Sequence, residues 1–154
     1  MNARLLATTA ALAVAAAQPA VATAGSCTVT SAVPVAFGGY DMFDSAPTVS
    51  TGAISLECVD LAPTDTVRID LDGGTARSFA ARTLVRGLSR LAYNLYLDAV
   101  HSLVWGDGTG GSASYGPFQP GAGVNTVILY GKIPAGQSVG AGGYTDTLTI
   151  TVQY

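Results

Sequence analysis

From Leu148 to Tyr154 the chain alternates apolar and polar residues without a fault: Leu148, Thr149, Ile150, Thr151, Val152, Gln153, Tyr154. That is the two-residue period of a half-buried β-strand. It sets Leu148, Ile150, Val152 and Tyr154 on one face. An apolar edge strand invites pairing with other chains, and proteins blunt such edges with charge or proline. These seven residues carry neither. Something must therefore cover the strand, either another strand of the same chain or another protein.

The same period recurs upstream. "AISLECV" aligns Ile54, Leu56 and Cys58, and "TVRIDL" aligns Val67, Ile69 and Leu71 with Arg68 and Asp70 outside. "AYNLYLDA" aligns Tyr93, Leu95 and Leu97. "VNTVILYGKI" is more continuously apolar, as expected of a strand covered on both faces. Turn signals separate these runs at Gly38–Gly39, Asp72–Gly73–Gly74, "GDGTGG" and "GAGG". Pro34 implies that the early extended segment is an edge strand or is interrupted there. Two readings stay open for Ser78–Arg90, a short helical turn or an irregular crossover. Short strands with glycine-rich turns in one domain predict an all-β fold, an antiparallel β-sandwich. No internal repeat or linker divides it.

Residues 1–24 read as a signal peptide: Arg4, an apolar run from Leu5 to about Ala17, then small residues and an Ala22–Thr23–Ala24 cleavage signature. The run is too short to span a membrane. Cuts after Ala17 or Ala22 are alternatives. The expected mature domain, 25–154, keeps six basic and ten acidic residues, a net charge of −4. That mild, scattered acidity argues against nucleic acid or an anionic membrane as partner. In an exported chain the two cysteines, Cys27 and Cys58, are most simply a disulfide. Closing that loop would contribute roughly 3–4 kcal/mol on the chain-entropy model.

Motifs for chemistry are weak. His101 is the sole histidine and has no nucleophile elbow or second histidine to work with, so it reads as a surface or turn residue. Asp70 and Asp72 share a strand face, but a calcium loop counted from Asp70 would end on Ala81 rather than glutamate, and a solvated turn is expected. "WGDGTGG" lacks the Lys-Ser/Thr end of a phosphate loop and occurs once. It reads as a flexible hairpin tip beside a buried or half-buried tryptophan. A glycan or surface contact through Trp105, Tyr115 and Phe118 is the functional alternative there. No catalytic or metal-binding residues and no cofactor are implied; the chain does not read as an enzyme.

In order, "SCTVTSAVPVAFGGYD", "ISLECV", "IDLDGG", "YNLYLD", "WGDGTGG" and "YGKIPAGQSVGAGGYTDTLTITVQY" resemble the spore coat protein U domain. That family includes subunits of archaic chaperone–usher pili. The resemblance runs from about Cys27 to Tyr154. It implies an immunoglobulin-like sandwich lacking its last strand, with Cys27 and Cys58 as the family's disulfide pair. The groove left open would be filled first by a periplasmic chaperone and then by the N-terminal extension of another pilus subunit, by β-strand addition. Leu148, Ile150, Val152 and Tyr154 would form one wall of this donor-strand acceptor, and the first strand, Val29 to Phe37, the other.

The resemblance also implies an outer-membrane usher, export through the periplasm and a place on the cell surface, with roles in adhesion or biofilm. With cleavage after Ala24, only Gly25 and Ser26 precede Cys27, so the chain is expected to accept a strand better than it donates one, which suits a tip or terminal subunit. A non-polymerising secreted coat protein is the rival expectation.

Overall fold

A computed structural model describes residues 24–154. The signal-peptide reading thus falls outside the described residues, save for Ala24. Eight strands follow in order: β1 (Ser26–Val33), β2 (Thr48–Val59), β3 (Val67–Leu71), β4 (Arg82–Arg86), β5 (Ser89–Tyr96), β6 (Tyr115–Phe118), β7 (Val124–Ile133) and β8 (Ile150–Gln153). They form a five-stranded sheet, β1-β2-β7-β5-β4, facing a three-stranded sheet, β6-β3-β8. All strand pairs are antiparallel.

The long β2–β7 ladder, from Thr48↔Ile133 to Glu57↔Val124, is the spine. Alternation drives one face inward: Ile54 and Leu56 from β2, Val127, Leu129 and Ile133 from β7, and Leu91, Tyr93 and Leu95 from β5. Val67, Ile69 and Leu71 of β3 close on them from the other sheet. Each such aliphatic side chain contributes about 1.5–3 kcal/mol by leaving water. β7 is not covered on both faces as its composition suggested. Ile128 is 44% exposed, because the outer face of the larger sheet carries no second layer at that point.

Ser78–Arg90 resolves into β4, a tight turn and the start of β5. Arg86 pairs with Ser89 across the two-residue loop Gly87–Leu88. Gly87 takes φ +58°, the sign needed at the first position of the primed turns that match strand twist.

Arg82 of this hairpin is wholly buried. Its Nε and Nη2 donate to the Asp72 carbonyl (3.0 and 2.6 Å), Nη1 donates to Asn94 Oδ1 (2.8 Å), and Nη2 also donates to the Trp105 carbonyl (2.7 Å). Burial pulls its pKa down, and the fields of Tyr93, Asp72 and Asp146 oppose that shift. One cation thus ties the segments at Asp72 and Trp105 to the β4–β5 hairpin. Asp70 is also buried rather than outside, at 5% exposure, and accepts from Arg68 Nε and Gln153 Nε2, both at 2.9 Å. The second of these bonds stitches β8 to β3.

Cys27 and Cys58 are bonded. They stand directly opposite each other in the β1–β2 ladder, with Cα atoms 4.1 Å apart, so the disulfide pins the edge strand β1 at its start.

Candidate functional site

β8 pairs with β3 along one edge, from Leu71↔Ile150 to Arg68↔Gln153. Among the described residues its other edge has no ladder partner. The chain reaches β8 by crossing from the larger sheet. Thr145 exchanges two backbone bonds with Val85 of β4 (2.8 and 3.1 Å), and four residues on, the Thr149 carbonyl accepts from Asp72 N (3.1 Å).

Opposite β8 runs the continuation of β1. Pro34 has no N–H to offer, and the β1 ladder ends at Val33. The chain then passes over the inner face of the larger sheet without joining a ladder. Val35 and Phe37 pack on the core there, and Phe37 meets the Tyr93 ring edge-on at 5.9 Å. Two glycines make room for them. A Cβ at Gly131 would lie 2.6 Å from Val35 and 2.7 Å from Phe37, and one at Gly52 would lie 2.6 Å from the Val33 carbonyl oxygen.

Between these two segments lies a cleft of about 290 Å³. Val33–Val35 and Phe37 line one side, Asp146, Thr147, Leu148 and Ile150 the other, and Ile54, Leu71, Leu95 and Leu129 the floor. Past Phe37 and Asp146 it adjoins a larger cavity, about 860 Å³, between the 34–43 and 139–146 segments. Of the four edge residues expected, Leu148 and Ile150 line the cleft. Val152 is half-buried against the core, and Tyr154, beyond the end of β8, is 56% exposed.

Polar groups hold the walls in place. Asp146 Oδ1 accepts from Thr75 N and Oγ1 and from Thr147 N, and Oδ2 accepts from the Tyr93 hydroxyl at 2.8 Å. Burial, reinforced by this bond to a carboxylate, pushes the Tyr93 phenol far above the ordinary tyrosine range. On the other wall Tyr40 donates to the Pro134 carbonyl (3.3 Å) and accepts from Gln137 N (2.7 Å). The Gln137 side chain pairs with both backbone groups of Ala92, at 2.7 and 2.8 Å, imitating a strand beside β5.

The other sequence candidates do not join this site. Trp105 is fully buried, its Nε1 donating to the Ile69 carbonyl at 2.9 Å, so it cannot touch a ligand at the surface. Tyr115 sits 5.7 Å from its ring and Phe118 5.2 Å from Tyr115, both half-buried. Trp105 belongs to the core, and the half-buried rings of Tyr115 and Phe118 pack in sequence against it. The loop after Trp105 is tied rather than loose: Asp107 Oδ1 accepts from Thr109 N and Oγ1 (2.9 and 2.6 Å), bonds that lower its pKa. His101 lies in a turn at φ +56°, with its N–H on the Asp98 carbonyl and its ring edge-on to Tyr96 at 5.2 Å.

The family model of the spore coat protein U domain matches residues 8–151. The chain belongs to this family. The match begins inside the segment read as a signal peptide. A relative, "Protein U" of Myxococcus xanthus, is 33% identical over 147 residues, covering 84% of this chain and 78% of its own. Solved structures with a similar fold include the CsuC–CsuE chaperone–tip adhesion subunit pre-assembly complex from the archaic chaperone–usher Csu pili of Acinetobacter baumannii, at TM-score 0.57 and 19% identity over 84% of this chain. The chain spans 40% of the matched chain of that complex. The P pilus rod subunit PapA matches at TM-score 0.51 and 18% identity, over 87% of this chain and 93% of its own. The fold is the immunoglobulin-like sandwich. In this spore coat protein U domain, the "YGKIPAGQ" and "GGYTDT" segments supply Gly131, Gln137 and Asp146, which shape and brace the cleft walls.

Proposed function

We propose that the chain is a secreted structural and adhesive subunit of an archaic chaperone–usher pilus, and that it accepts a donor strand in the cleft between Val33–Phe37 and β8. The observation carrying this reading is a pair of backbone edges without a ladder partner among the described residues, the outer edge of β8 and the 34–37 stretch, on either side of an apolar floor. A single extended strand laid between them would bond to both walls and cover Leu71, Leu95 and Leu129. β-Strand addition needs a free edge for affinity and alternate pockets for side chains. The partners on this reading are a periplasmic chaperone, then an outer-membrane usher and other pilus subunits, with the finished protein at the cell surface in adhesion or biofilm. The chain has no catalytic role in this account.

The test is co-expression in a periplasm with an archaic pilus chaperone. The chain is expected to aggregate alone and to co-purify one-to-one with the chaperone. Equal yield and a stable monomer without the chaperone would overturn the reading. Placement at the tip is the finer part of the proposal and depends on the expected cut after Ala24. N-terminal sequencing of the exported protein checks it, and a mature start upstream of residue 18 removes its basis.

The family description, a spore coat domain, supports a second reading: a secreted coat protein that never polymerises. The same co-expression separates the two, because a non-polymerising module is stable without a chaperone.

A further inference from the structure

Tyr144, Asp146, Leu148, Ile150 and Val152 are all half-buried, while the intervening Thr145, Thr147, Thr149 and Thr151 are exposed. Asp146 is thus a carboxylate in an inward row whose next three members are apolar. It lines both the cleft and the adjoining cavity. Every other residue lining the cleft is uncharged, and the larger cavity adds one more charge, also acidic, Asp41. Among the described residues no cation lies within ion-pair distance of Asp146, since the single ion pair is Arg68–Asp70. Arg86 packs along Gly140 and Gly142 but lines neither cavity. Hydrogen bonds from Thr75, Thr147 and Tyr93 orient the Asp146 carboxylate without neutralising it.

We infer that Asp146 is a specificity residue of the cleft and selects an incoming strand that carries a lysine or arginine next to its alternating aliphatic residues. This rests on the strand-acceptor reading above. An aliphatic side chain opposite Leu148 and another opposite Ile150 fill the apolar part, and the cation falls one strand period further on, at the mouth of the larger cavity. Charge placed this way sets register and rejects wrong partners more than it adds raw affinity. A strand with glutamate at that place meets Asp146 and the field of Asp41 behind it, while the buried Arg82, whose field Asp146 feels, is committed to the Asp72 and Trp105 carbonyls and to Asn94 and lines neither cavity.

The experiment measures uptake of fluorescent extended peptides by the full chain out of its one-to-one complex with the chaperone. The peptides share alternating valine and threonine and differ at one position near Asp146: lysine, glutamine or glutamate. The lysine peptide is expected to bind about fivefold to tenfold tighter than the glutamate peptide at low salt, the range of a partly screened ion pair. The ratio should shrink as salt rises and collapse in Asp146→Asn. Equal binding of all three peptides at low salt overturns the inference and leaves the acceptor reading standing. Failure of every peptide to bind overturns the acceptor reading as well. If Asp146→Asn does not fold, the salt dependence of the lysine-to-glutamate ratio in the unmodified chain decides alone.

Discussion

The two sides of the sandwich are finished to different standards. At β2 and β7 every strand has a neighbour, the inward residues interlock, and a disulfide pins β1 to β2. At β8 and the Val33–Phe37 segment the same kinds of residue, Leu148, Ile150 and Val35, border a cleft of about 290 Å³. The apolar patterning is equal on both sides. The difference lies in backbone pairing, because proline ends one ladder and β8 has a partner on one edge. A core can thus carry the same apolar patterning throughout and still lack a strand on one side, and an incoming strand would supply both the missing bonds and the side chains that fill the cleft.

Mutations should separate the two sides. The largest effect is expected from Ile150→Asp, which would bury an unpaired charge once a strand fills the cleft. Chaperone capture should be abolished, and a pull-down checks this; normal capture removes Ile150 from the site. On the closed side, Arg82→Met should cost about 3 kcal/mol or more, since it leaves the Asp72 and Trp105 carbonyls unsatisfied and removes one donor from Asn94 Oδ1. Chemical denaturation reads that loss. Cys58→Ser should cost roughly 3–4 kcal/mol by freeing the edge strand, and an unchanged melting temperature would contradict it. Gly131→Ala, which crowds Val35 and Phe37, should cost about 1–3 kcal/mol and distort the cleft wall. The smallest effect concerns pH. Tyr93 holds its proton more tightly folded than unfolded, through burial and then its bond to Asp146. Stability is therefore full below the ordinary tyrosine pKa of 10.0 and falls as pH rises above it. Tyr93→Phe should flatten that alkaline limb.

Much of the fold was legible because strand period and turn residues are local signals. Ile54, Leu56, Val67, Ile69, Leu71, Tyr93 and Leu95 all face inward as their spacing required. β4 escaped notice because Arg82 breaks an apolar pattern, and its guanidinium is buried only through carbonyls distant in sequence. Asp70 was misplaced for the same reason: Gln153, which covers it, lies 83 residues away. Trp105 is buried as read, but its bond to the Ile69 carbonyl, 36 residues away, was not visible in the sequence. At the cleft, the terminal alternation exposed the wall at Leu148 and Ile150, and the resemblance supplied the opposite wall. The roles of Gly52, Gly131 and Asp146 needed three-dimensional contacts.

The most direct test of the acceptor cleft is amide hydrogen exchange on the chain with and without its chaperone. The account predicts that backbone amides of 35–37 and 150–153 become protected together on binding, while those of β2 and β7 barely change. Binding that leaves both segments exchanging as fast as in the free chain would contradict it.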